Sequence, residues 1–171
     1  MEREVVEMAL DLFEAPEGAG GGITTGGPES IFMAVGDCRE CAREVKGRKG
    51  PLNIVAAESA HPVFDRAGET MDIRVKRVPL RDDFRADPDA MAAAVDDDTM
   101  MILGSAPCLS HGVVYENASL GRVMSDFDFS VPGVRSLIAD LYKLCFAPHP
   151  SSVVQDRSEE NFERQIFDQD R

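Results

Sequence analysis

Only four of the 18 basic residues are lysines, and one of them stands in an apolar setting. Lys143 lies in IADLYKLCFAP, with apolar or small neighbours on both sides. A lysine there either snorkels to the surface or is held at low dielectric. In the second case burial favours the neutral amine, and a neutral amine attacks carbonyls to form Schiff bases. A second stretch, ITTGGPES at 23–30, sets Gly26, Gly27 and Pro28 ahead of the apolar run IFMAV. If the glycines lead into a helix, its free N–H groups and positive dipole end face one point, where a phosphate fits. An ordinary helix start is the other reading. His61, in AAESAHPVFDRA, and His111, in SAPCLSHGV, both follow expected strand ends. Ligand sites of α/β sheets gather there, and an imidazole can stack on a flat cofactor or move protons. A helix-start histidine is the plainer alternative.

Cys38 and Cys41 form a C-x-x-C within DCRECAREVKG, which reads as helix, while Cys108 and Cys145 are widely separated. A zinc site wants two close pairs, so reduced cysteines and no metal are expected.

These groups need a scaffold, and the pattern supplies one. EREVVEMALDLF has the apolar spacing of a helical face, and GGPESIFMAVGDCRECAREVKG reads as one helix starting near Pro28, since proline suits a first helical position. Between them, Gly18, Gly20, Gly21 and Gly22 predict an irregular loop. LNIVAAES reads as a buried strand, HPVFDRAGET as a helix and DIRVKRVPL as a strand. ADPDAMAAAVDDD follows as a helix with an acidic first turn, then TMMILGSAP and VRSLIAD as strands. This alternation predicts an α/β domain with a largely parallel sheet flanked by helices. The segment from Cys108 to Pro132 carries no helical pattern, although parallel neighbours usually need a helical crossover. QDRSEENFERQIFDQDR reads as a charged tail.

The chain has 171 residues, enough for one domain with a sizeable core, and a net charge of −13. That charge argues against nucleic acid or an anionic membrane as partner, because both are bound by neutralising phosphates. No apolar run is long enough to span a bilayer and the first residues are too acidic for a signal peptide, so a cytoplasmic location is expected.

A phosphate cradle, an amine for an aldehyde and a flat contact for a ring are what pyridoxal phosphate requires. The sequence resembles a family that uses it. ITTGGPESIFMAV is similar to the T-S-G-G-T-E-S-I-L-M-A segment of pyridoxal-phosphate-dependent group II decarboxylases, and most to the sphingosine-1-phosphate lyases among them. The likeness continues through NIVAAESAHPVFDRAGE, VPLRDDFRADPDAMAAAVDDDTMMILGSAP and HGV, and resumes at FDFSVPGVRSLIADLYKLCFAPHPSS. The resemblance implies a partial type I (aspartate-aminotransferase-like) large domain. By the same resemblance Lys143 matches the Schiff-base lysine and His61 the ring-stacking histidine. Gly26, Gly27 and Pro28 match the phosphate turn, and Ser136 joins the cofactor-binding set. The implied reaction breaks a carbon–carbon bond of a small amine, either a phosphorylated long-chain base or an amino acid. A homodimer is implied as well.

The chain departs from the family pattern where the cofactor would sit. Pro28 replaces a threonine, removing an N–H and a hydroxyl from the phosphate turn. Asn117 falls where the family has the aspartate that keeps the pyridine nitrogen protonated, and an amide cannot hold that proton. Tyr142 takes the place of the histidine before the lysine, and Cys145 and Pro150 replace glycines after it. The expected organisation is a partial large domain over 1–155, shortened near 112–125, a charged tail over 156–171, and no small C-terminal domain. A catalytically inactive remnant that at most binds cofactor or a partner chain is therefore the alternative to an active lyase.

Overall fold

The computed structural model describes residues 1–113, 129–130, 133–144 and 151–160. The chain divides into two compact units, one formed by 1–40 with 128–171 and the other by 41–127.

In the first unit, α1 (Glu2–Leu12) and α2 (Gly27–Glu40) pack on a sheet in the order β1 (Gly20–Thr24), β6 (Ser152–Asp156), β5 (Ser136–Asp140). β6 runs antiparallel to both neighbours. Adjacent strand residues face opposite ways, so this sheet has a helix on each face. Val154 packs with Ala34 of α2, while Gln155 lies beside Gly21 and Val6 on the α1 side. A four-residue helix, α5 (Leu141–Leu144), follows β5 directly.

Two features of this unit differ from the sequence reading. The glycine run is not irregular: Gly20, Gly21 and Gly22 form most of β1. A side chain on Gly21 would lie 2.9 Å from the Val154 carbonyl and 3.2 Å from Val6 Cγ1, so glycine serves close approach there rather than looseness. The sequence reading also contains no β6, whose five residues are all buried and therefore lack the alternation that marks a half-exposed strand.

Gln155 exposes a weakness of this core. Its amide nitrogen and oxygen are sealed from solvent and have no hydrogen-bond partner among the described residues. An unsatisfied buried polar group costs about 1–3 kcal/mol. Gln155→Met, of similar shape and no polar demand, is expected to stabilise the chain by about 1 kcal/mol. The check is a denaturant titration; a lower midpoint would mean that the amide is engaged after all.

The second unit is a βαβαβ arrangement. β2 (Leu52–Ala57) lies between β3 (Ile73–Val78) and β4 (Thr99–Leu103), parallel to both, with α3 (Val63–Met71) and α4 (Pro88–Ala94) as crossovers. This matches the predicted alternation and parallel sheet. All six residues of β2 are buried, as expected for a central parallel strand covered on both faces. Val55, Ala57, Val78, Ala86, Met91 and Cys108 form its core cluster. Asp87 caps α4 by accepting from the Asp89 and Ala90 N–H groups, with Pro88 at the first helical position.

Cys38, Cys41 and Cys108 are buried free thiols. Among the described residues, no helix is long and apolar enough to cross a membrane.

Candidate active site

The turn before α2 is built for tight geometry. Gly26 has φ 143°, a conformation that L side chains rarely adopt. Its N–H donates to Thr24 Oγ1 at 3.4 Å, and the Thr24 hydroxyl lies 2.7 Å from Ser30 Oγ inside α2. Beside it, Thr25 donates twice to one oxygen of Glu29, from its N–H at 2.6 Å and its hydroxyl at 2.7 Å. The hydroxyl and then the amide of Thr25 hold the Glu29 carboxyl below its ordinary pKa. An anion thus occupies the donors of this turn, and it belongs to the chain itself.

Gly27 follows, buried, with β5 directly against it. A Cβ on Gly27 would lie 2.9 Å from Asp140 Oδ1 and 3.4 Å from Oδ2. Asp140 ends β5 and gathers three donors: Lys143 Nζ at 2.5 Å, Tyr142 Oη at 3.4 Å, and the Ser152 hydroxyl from β6. Burial pushes Asp140 upward, but the bonds from Lys143 and Ser152 outweigh it and the net shift is downward. The hydrogen bond that Lys143 donates to Asp140 raises the lysine, opposing its partial desolvation.

Of the two readings of Lys143, the low-dielectric neutral amine does not describe this structure. The side chain is 54% exposed, and its partner is a carboxylate that favours the charged form. It sits on α5, immediately after β5, where the short helix turns the amine back over the strand end.

The structure brings Gly27, Tyr142 and Lys143 together through Asp140. Gly26 is the neighbouring turn residue, and Pro28 is exposed in the first turn of α2. Ser136 is not part of this cluster. It lies four residues back along β5, about 13 Å at the usual strand rise, and donates to Asp156 at 2.8 Å. His61 belongs to the second unit, four residues beyond β2, where its Nδ1 accepts from the Val63 N–H at 3.2 Å at the start of α3. That is the helix-start role left open above. His111 is exposed and stacks on Phe84 with ring centroids 4.6 Å apart. Asn117, Cys145 and Pro150 lie outside the described residues, as does most of the segment expected to be shortened.

Asp140, Ser152, Thr25 and Glu29 were not singled out from the sequence. The D-x-x-K spacing of Asp140 and Lys143 fits an i,i+3 ion pair and was available as a signal. Nothing local marks Ser152, which arrives from β6.

No family model matches the chain. Known proteins do. It is 35% identical to sphingosine-1-phosphate lyase 1 of Rattus norvegicus, over 98% of this chain and 34% of that protein. It is 30% identical to a probable L-tyrosine/L-aspartate decarboxylase of Methanocella arvoryzae, over 93% of this chain and 48% of that one. Among solved structures, the sphingosine-1-phosphate lyase of Burkholderia pseudomallei superposes with a TM-score of 0.88 at 28% identity, covering 96% of this chain and 46% of that one. The chain therefore spans about a third of the length of the lyase relatives and about half that of the decarboxylase.

Proposed function

We propose that this chain, similar over nearly all of its length to part of the sphingosine-1-phosphate lyases and of a probable decarboxylase, is a member of the pyridoxal-phosphate-dependent group II decarboxylase and lyase family and acts as a carbon–carbon lyase using that cofactor, with Lys143 as the anchoring amine. The observation that carries the reading is the meeting of the glycine turn and the lysine at Asp140: one carboxylate pairs with Lys143 and occupies the space that a side chain on Gly27 would need. The donor chemistry fits the cofactor. Thr25 already binds a carboxylate oxygen through its amide and hydroxyl, and a phosphate oxygen asks for the same pair. The cofactor's aldehyde asks for a primary amine, which Lys143 offers at a half-exposed strand end.

When bound, pyridoxal phosphate supplies a ring that withdraws electrons from the amino-bearing carbon of a substrate. The chain's own residues have separate tasks. Thr25, Gly26 and Gly27 would hold the phosphate, helped by the positive end of α2. Lys143 would hold the aldehyde, its Nζ giving up the proton that it now shares with Asp140. Tyr142, the residue before the lysine, would help to hold the same carboxylate in place. For the ring face and ring nitrogen the family resemblance implies His61 and Asn117. The substrate is a small amine, a phosphorylated long-chain base or an amino acid.

A second reading, an inactive chain that at most binds cofactor or a partner, is favoured by two observations. Lys143 is paired with Asp140, and Glu29 fills the Thr25 donors. Each competes with the cofactor for the group that would hold it.

The two readings separate on incubation with pyridoxal phosphate followed by borohydride. Peptide mass spectrometry should find the added mass on the peptide carrying Lys143, and Lys143→Ala should remove it. A folded wild-type chain with no label at that peptide would sink the lyase reading.

A further inference from the structure

Asp140 is assigned no role by the family reasoning above, yet it is the most heavily engaged group at the turn. Its side chain is only 15% exposed, and its contacts come from three elements. Lys143 and Tyr142 reach it from α5, Ser152 from the fully buried strand β6, and Gly27 of α2 leaves it room. Among the described residues, Lys143 and Tyr142 are the titratable groups facing it; Gly27 and Ser152 are uncharged.

We infer that Asp140 is a positioning residue that tethers the Lys143 amine against the glycine turn and keeps it in the protonated, unreactive form until the tether is released. The inference rests on Lys143 being the cofactor-anchoring amine, but its geometry stands without the cofactor. An amine must lose its proton before its lone pair can attack a carbonyl. A carboxylate at 2.5 Å stabilises the charged form, and the Ser152 bond fixes that carboxylate in place. Gly27 completes the arrangement, because a larger residue would displace the carboxylate from this position.

The shifts agree in direction. Asp140 lies below its ordinary pKa, so its contribution to stability is present above that ordinary value and fades as pH falls through the lowered one. Lys143 lies above its ordinary pKa, so its contribution is present below that value and fades as pH rises through the raised one. The tether therefore holds across the neutral range and opens at its two ends.

The test uses the cofactor-free chain and acetic anhydride, with labelling of each lysine read by peptide mass spectrometry from about pH 7 to about pH 11. In wild type, Lys143 should reach half-maximal labelling at a higher pH when folded than in urea. Asp140→Asn should raise the folded labelling rate at about pH 9 by about threefold or more, because the amide cannot stabilise the ammonium. Ser152→Ala leaves every charge in place and loosens the carboxylate, so it should shift the curve the same way by less; it also serves if Asp140→Asn does not fold. Coincident folded and urea curves in wild type would overturn the inference, as would an Asp140→Asn or Ser152→Ala curve lying on that of the folded wild type. If the shifts appear but pyridoxal phosphate never attaches at Lys143, the cofactor reading fails and the tether stands. Attachment at Lys143 with unshifted curves is the reverse outcome.

Discussion

Gly68→Ala should lower the melting temperature by about 4–8 °C, a net loss of about 2 kcal/mol for a chain of this size. The residue lies in α3, where the sheet comes close. A Cβ there would meet the Ile73 carbonyl oxygen at 2.6 Å and Val75 Cγ2 at 2.9 Å. The first contact is with backbone of β3, which cannot rotate out of the way. The α3–β3 junction is also short, with Asp72 in the left-handed region and its N–H bonded back to Gly68. Alanine gains about 1 kcal/mol of helix propensity at such a site. Overpacking typically costs about 1–3 kcal/mol, and two contacts under 3.0 Å belong at the upper end or beyond. The clash should therefore win. Circular dichroism melts would check it, and an unchanged or higher melting point would show that α3 can lift from β3 at little cost.

Gly27→Ala should act on stability and site together. Here the contact is with a side-chain end, Asp140 Oδ1 at 2.9 Å, which in isolation would simply swing away. It is not isolated, since Ser152, Lys143 and Tyr142 all bond to the same carboxylate. Losing the bond from buried Ser152 costs about 1.5–3 kcal/mol. The Lys143 pair adds at most about 1 kcal/mol, because the lysine is half exposed and screened by solvent. Subtracting the helix-propensity gain of about 1 kcal/mol leaves a net loss of about 0.5–3 kcal/mol. Moving Asp140 should also release Lys143, so anhydride labelling at about pH 9 should rise together with the fall in stability. A variant as stable as wild type, with Lys143 no more reactive, would show that the carboxylate has another place to sit.

These two glycines mark the limit of what local sequence conveys. Gly27 was legible as part of a candidate phosphate turn, because ITTGGPES carries that signature directly ahead of an apolar helix. That its missing side chain also makes room for Asp140 was not, because the carboxylate arrives from more than a hundred residues downstream. Gly68 carried no signal at all within its helix.

The sequence by itself determined the alternation of helices and strands in the second unit and the start of α2 at the glycine turn. Each is written in short-range patterns: periodicity, capping residues and motif spacing. Tertiary structure alone decided that the glycine run 20–22 is strand β1, that β6 runs between β1 and β5, and that Lys143 is charged and held. Those outcomes depend on partners distant in the chain. A strand of three glycines needs a neighbour's hydrogen bonds to be ordered, a fully buried strand shows no alternation, and the charge of an amine is set by the carboxylate folded against it.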